Sequence, residues 1–142
     1  MNELDIRSYR DADQEVVVKL WQGCGLVMPW NDPAKDIRRK LSMQREMFLV
    51  GLVDERLVAT VMAGYEGHRG WINYLAVAPD CRKSGFGRRL MEEAEARLRA
   101  LGCPKINLQI RSSNADVIEF YRSVGFSIDD VVSMGKRLEE DQ

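Results

Sequence analysis

From Asn73 to Gly102 the chain runs N-Y-L-A-V-A-P-D-C-R-K-S-G-F-G-R-R-L-M-E-E-A-E-A-R-L-R-A-L-G. An alternating strand gives way to a short loop with one proline and two glycines, and then to a long amphipathic helix. The first turn of a helix carries N–H groups without intrahelical acceptors, and a partial positive charge. Glycine allows an anion to approach those amides closely, so a glycine turn feeding a helix is a cradle for phosphate. The stretch also constrains topology. Residues 105–110 (K-I-N-L-Q-I) are again strand-like. Strand, helix, strand in that order requires a parallel pair joined by a right-handed crossover.

The flanking segments fit around this unit. Residues 4–9 alternate as a half-buried strand. Asp11 is placed to cap a helix, with Gln14 as its capping-box partner. Val17, Leu20, Trp21 and Cys24 mark the apolar face of that helix, and Gly23 or Gly25 ends it. Residues 26–32 (L-V-M-P-W-N-D) are irregular and unusually apolar for a loop. Asp32-Pro33 restarts a helix that reaches to about Glu46, anchored by Ile37 and Leu41. Two readings of residues 26–46 stand: a surface helix with its connector, or a mobile substrate-side lid carrying Trp30.

Residues 48–53 and 57–65 are apolar strands around Asp54-Glu55-Arg56, an antiparallel hairpin. A turn at residues 66–70 leads into a third strand, residues 71–78. The glycine-loop helix spans residues 85–101 and turns Leu90, Met91, Ala94, Leu98 and Leu101 inward. Asn114 caps a last helix whose inward face is Val117, Phe120, Tyr121 and Val124. Residues 126–138 are extended, either as one long strand or as a hairpin around Asp129-Asp130. The sum is a mixed α/β, α+β-like fold in one domain, residues 1–142. It has a mainly antiparallel sheet of six to seven strands with one parallel pair, and about four helices on both faces. A long last strand would offer an edge to a second copy, and so a homodimer.

Composition removes several function classes. Apolar residues make up 45% of the chain and charged residues 30%, the balance of a globular domain. The net charge of −1 carries no basic excess for nucleic acid or an anionic membrane. The N-terminus has no export pattern, and no apolar run approaches the ~18 residues of a spanning helix. Cys24, Cys81 and Cys103 lack metal spacing and fit reduced thiols in the cytoplasm. With His68 the one histidine, no metal site is expected.

Three phosphate loops compete for Arg82-Lys83-Ser84-Gly85-Phe86-Gly87. A nucleoside triphosphate loop needs Gly-Lys-Ser/Thr at its end, and here Arg88-Arg89 follow the second glycine. A dinucleotide fingerprint needs a third glycine where Leu90 stands. The third reading is the pyrophosphate of coenzyme A. Arg-x-x-Gly-x-Gly after a strand ending in Ala78-Pro79 resembles the signature of the GCN5-related N-acetyltransferases (GNAT). The stretch Asn114-x-x-Val-Ile-x-Phe-Tyr-x-x-Val-Gly-Phe resembles that family's last helix and its exit. The resemblance covers residues 48–138 well; the first 45 residues share only the order of elements.

The resemblance implies acetyl-CoA as co-substrate, a primary amine of a small molecule or peptide as acceptor, and direct transfer in a ternary complex. It implies that the parallel strands splay, with the pantetheine arm against backbone groups of Leu75 and Val77. The amides of Lys83, Ser84, Gly85, Phe86, Gly87 and Arg88 would hold the pyrophosphate, with charge added by Arg82 and Arg88. Asn114 would touch the cofactor besides capping its helix. Tyr121 would protonate the leaving thiolate as general acid. Many members carry a carboxylate on the strand before the loop, and Trp71–Val77 has none. Glu66 and His68, just upstream, are the candidate bases, directly or through water. A backbone N–H of the same strand is expected to polarise the acyl carbonyl. Cys81 lies at the phosphate end of the site, which argues against an acetyl-enzyme there. A non-catalytic acyl-CoA-binding regulatory module is the alternative, favoured by the missing strand carboxylate.

Overall fold

The hairpin that centres the sheet follows from its turn. Asp54 and Glu55 both take positive φ (48° and 69°), the geometry that matches the twist of paired strands. It joins β2 (Phe48–Val53) to β3 (Arg56–Tyr65). In this computed structural model, which describes residues 3–141, β1 (Asp5–Ser8) lies on one side of the hairpin and β4 (Gly70–Val77) on the other. The sheet order is β1-β2-β3-β4-β5, antiparallel except for the last pair. The last strand, β5, is Ile106–Asn107.

Both faces of the central strands are buried, and two helical layers cover them. Phe48, Val50, Thr60 and Met62 share one face through the pairs Phe48↔Met62 and Val50↔Thr60. Trp21 of α1 (Gln14–Gly23) stacks on Phe48 there, with ring centroids 6.2 Å apart. Val61 and Ala63 point to the opposite face, which Gly70 shares. A Cβ on Gly70 would meet Leu98 of α3 (Phe86–Ala100) at 3.3 Å, so α3 packs against that side. Full burial of side chains such as Phe48, Trp21 and Leu90 contributes roughly 1.5–3 kcal/mol each. The remaining helices are α2 (Pro33–Leu41) and α4 (Ala115–Ser123). Among the described residues, no helix is long and apolar enough to cross a membrane.

Several expectations need correction. Among the described residues the sheet has five strands, not six to seven. Residues 105–110 pair with β4 only at Ile106 and Asn107. Residues 126–138 form neither a strand nor a hairpin, so no strand edge is presented there to a second copy. They are held alongside residues 105–109 by side chains. Lys105 and Asn107 reach Asp129 (3.0 and 2.8 Å), and Gln109 reaches Ser133. A bridge built from two side chains keeps the backbones farther apart than the 4.7–4.9 Å spacing of a ladder. A cavity of about 1220 Å³ lies between these segments.

Smaller differences concern the helices. Asp11 lies in a short 3-10 turn, and Asp13 anchors the entry to α1 by accepting the Arg10 N–H and pairing with Arg7. The second helix stops at Leu41 rather than about Glu46, and Leu101 is exposed. Asn114 sits at the N-cap position of α4 but its side chain makes no capping bond.

Candidate active site

The loop after β4 ends in Gly85 at φ +85°, a left-handed conformation that suits glycine and starts α3 abruptly. No side chain caps α3, and no acidic residue stands in its first turn. Arg89 N–H is the first to bond back, to the Gly85 carbonyl (3.0 Å). The N–H groups of Phe86, Gly87 and Arg88 are left pointing out of the helix. Lys83 also takes positive φ (64°) just before them. These amides fit an anion. The two glycines serve differently: a Cβ on Gly85 would meet open space, whereas one on Gly87 would stand 3.2 Å from Phe120 Cζ. Gly87 therefore lets α4 close on the start of α3. Arg88 reinforces that contact, donating to the Ser123 carbonyl at the end of α4 (2.9 Å). Arg82 turns back and donates to the Val77 carbonyl (3.3 Å). The Ser84 hydroxyl closes the turn by donating to the Cys81 carbonyl.

Beside the loop, β4 and β5 part company. They pair only at Gly70↔Ile106 and Trp71↔Asn107, so β4 has no parallel partner from Ile72 on. Ala78 N–H donates to Val58 on β3 (2.7 Å). Backbone direction alternates along a strand, so Leu75 and Val77 turn their N–H and C=O groups into the split. A bulge sits at its mouth. The β3–β4 register shifts between Thr60 and Met62, and Tyr74 takes φ 52°. A buried relay holds this strained residue: Trp21 Nε1 donates to Thr60 Oγ1 (2.9 Å), and Thr60 Oγ1 donates to the Tyr74 carbonyl (2.9 Å).

The bulge delivers the Tyr74 ring onto Trp21, centroids 3.9 Å apart. Its hydroxyl donates to Asp36 Oδ2 (2.6 Å) and accepts from Asn31 Nδ2 (2.8 Å). Burial, and then the Asp36 hydrogen bond, push the Tyr74 phenol well above its ordinary range. Asp36 is thus a carboxylate on the Tyr74 hydroxyl that the strand sequence alone does not disclose. It arrives from α2, whose phase is set by Asp32 capping Ala34 and Lys35 (3.0 and 3.2 Å).

Tyr121 lies on α4, buried, between Phe120 and Phe126 in edge-on contacts. Burial pushes its phenol up to about 12. Tyr121 borders the cavity beside β5. Glu66 and His68 stand elsewhere, in the turn at the closed end of the β4–β5 pair. The Glu66 carboxylate accepts the N–H groups of Arg69 (2.6 Å) and His68 (2.5 Å), and these bonds hold its pKa below the usual range. That is the work of a turn cap. Cys81 is pushed up by burial and by Asp80, which disfavours its thiolate. Among the described residues no cluster of three His, Cys, Asp or Glu side chains could hold a metal.

Residues 13–126 match the acetyltransferase (GNAT) family. The chain belongs to the GNAT family of acetyltransferases. An acetyltransferase of Yersinia enterocolitica is 45% identical to this GNAT chain over 139 residues, 98% of this chain and 99% of its own. Among solved structures, Ard1 from Thermoplasma volcanium is similar with a TM-score of 0.77 at 25% identity. That match covers 89% of this chain and 84% of the other. The ribosomal-protein-S18-alanine N-acetyltransferase from Escherichia coli shares the fold at TM-score 0.73 and 24% identity, covering 88% and 78%. The GNAT signature falls where the geometry is most specialised, on the uncapped α3 and the split beside it.

Proposed function

We propose that the protein moves an acetyl group from acetyl-CoA to a primary amine of a small molecule or peptide, by direct transfer in a ternary complex. One observation carries this reading. The bare N-terminus of α3, with its left-handed Gly85, stands beside a split where β4 has no strand partner beyond Trp71 and the Val77 carbonyl is held by the Arg82 and Cys24 side chains alone. Amides 83–88 would take the pyrophosphate, and Leu75 and Val77 would take the pantetheine arm as an added strand would. A backbone N–H at the β4 bulge would polarise the thioester carbonyl. The Asn114 side chain, which makes no capping bond, is available to the cofactor.

Tyr121 is the proton donor in this reading. Its raised pKa keeps the phenol protonated at neutral pH, ready to quench a departing thiolate. Glu66 is not given the base role, because its carboxylate is committed to the turn.

Thermal melting with acetyl-CoA tests the cofactor half: at 100 times Kd the ligand should add about 2.7 kcal/mol. An unchanged Tm at millimolar acetyl-CoA would end the proposal. Thiol release over a panel of amines tests the chemistry. Tyr121→Phe should lower kcat by about 10²-fold or more while keeping the thermal shift. Binding without amine-dependent thiol release would identify a non-catalytic acyl-CoA-binding module instead.

A further inference from the structure

We infer that the acceptor's alkylammonium group docks against Asp36 and the Tyr74 hydroxyl, and that Asp36 takes the proton the amine must lose. This rests on the acetyl-transfer reading and gives it the base that β4 does not supply. Tyr74 is held at the bulge by the Trp21–Thr60 relay, at the mouth of the split. Its hydroxyl lies 2.6 Å from Asp36 Oδ2. Asp36 Oδ1 receives one further bond, from Arg39 Nη1 (3.1 Å). A carboxylate offers about four lone-pair sites, so Asp36 keeps acceptor capacity on both oxygens.

The Arg39 charge beside Asp36 is spread over several carboxylates. Arg39 is shared by Asp36, Glu139 and Asp141, at 3.1, 3.3 and 2.8 Å. Lys35 adds a second positive charge near Asp141. The neighbouring turn carries a further cation-binding surface. Met28 N–H donates to Asn31 Oδ1 (2.7 Å), and Asn31 Nδ2 donates to Tyr74, which ties the turn carrying Trp30 to the Tyr74 hydroxyl. Trp30 is 45% exposed, and the Arg111 guanidinium already sits 4.8 Å from its ring centre. Carboxylate, phenol and indole together suit an alkylammonium rather than an acid or a neutral sugar.

The protons balance. One N–H bond of the ammonium breaks, its proton goes to Asp36, and the freed lone pair forms the C–N bond to the thioester carbon. The C–S bond breaks, and Tyr121 protonates the sulfur. The second proton lost by the nitrogen replaces the one Tyr121 gave, and Asp36 returns its proton to solvent.

The test compares wild type with Asp36→Asn on two acceptor classes, using phenethylamine and spermidine against aniline, which is already neutral near about pH 7. Asp36→Asn should lower kcat/KM for the alkylamines by about 10²-fold or more and leave aniline within about threefold. The acetyl-CoA thermal shift should be unchanged, which shows that the fold and the cofactor site survive. Tyr74→Phe keeps the stack on Trp21 and should raise KM for the alkylamines alone. Full alkylamine activity in Asp36→Asn, or equal losses on both classes, overturns the inference and leaves the acetyl-transfer reading standing. Failure of wild type to bind acetyl-CoA, or to use any amine, overturns both.

Discussion

Thr60 shows how much of this site rests on one hydroxyl. It accepts from the buried Trp21 indole and donates to the Tyr74 carbonyl, both at 2.9 Å. Thr60→Val keeps the shape but leaves the indole N–H without an acceptor, a loss of about 1–3 kcal/mol. Chemical denaturation should show that loss, and the released bulge should lower kcat/KM more than it lowers acetyl-CoA affinity. A neutral stability change would mean that the relay does not hold the bulge. Gly87 is a second such residue. In sequence, both glycines of the loop read as room for phosphate. The structure assigns that room to the left-handed Gly85 and gives Gly87 to Phe120. Gly87→Ala should push Phe120 and α4 outward, destabilising by about 1–3 kcal/mol. A melting curve identical to wild type would contradict that packing account.

Elements with a strong local cause were legible beforehand. The β2–β3 hairpin follows from its turn, α2 from Asp32-Pro33, and α3 from its glycine loop and inward Leu90, Met91, Ala94 and Leu98. Residues 126–138 misled, because apolar residues near the C-terminus suggest a strand. Yet Val131, Val132, Met134 and Leu138 are all more than 75% exposed, so no buried face fixes a register. The segment is instead pinned at its far end, where Arg39 binds Asp141. That hydrogen bond holds the Asp141 carboxyl down at about 2, against roughly 3.9 in an unfolded chain. A depressed folded pKa means that the stabilisation is complete above about pH 4 and is lost as pH falls through about 2. Carboxyl titration by NMR should place the Asp141 midpoint near 2, and Arg39→Gln should raise it. An Asp141 midpoint near 4 in wild type would show that the tail is not held there.

Across the whole molecule, the cofactor half of the site is contiguous in sequence and the acceptor half is not. Strand, loop and α3 follow one another, so their motif is visible without a structure. Asp36, Tyr74, Asn31 and Trp30 come from two distant stretches that meet only because α1 and α2 cover the Trp21 face of the sheet. No spacing rule links Asp36 to Tyr74, so the sequence points first to Glu66 and His68, nearby in sequence but at the closed end of the strand pair. The proposed site puts acetyl-CoA in the β4–β5 split with its phosphates on α3. Backbone amide NMR during an acetyl-CoA titration tests it most directly. The largest shifts are expected at Leu75, Val77 and residues 83–88. Shifts centred instead on residues 126–133, or none at saturating acetyl-CoA, would contradict it.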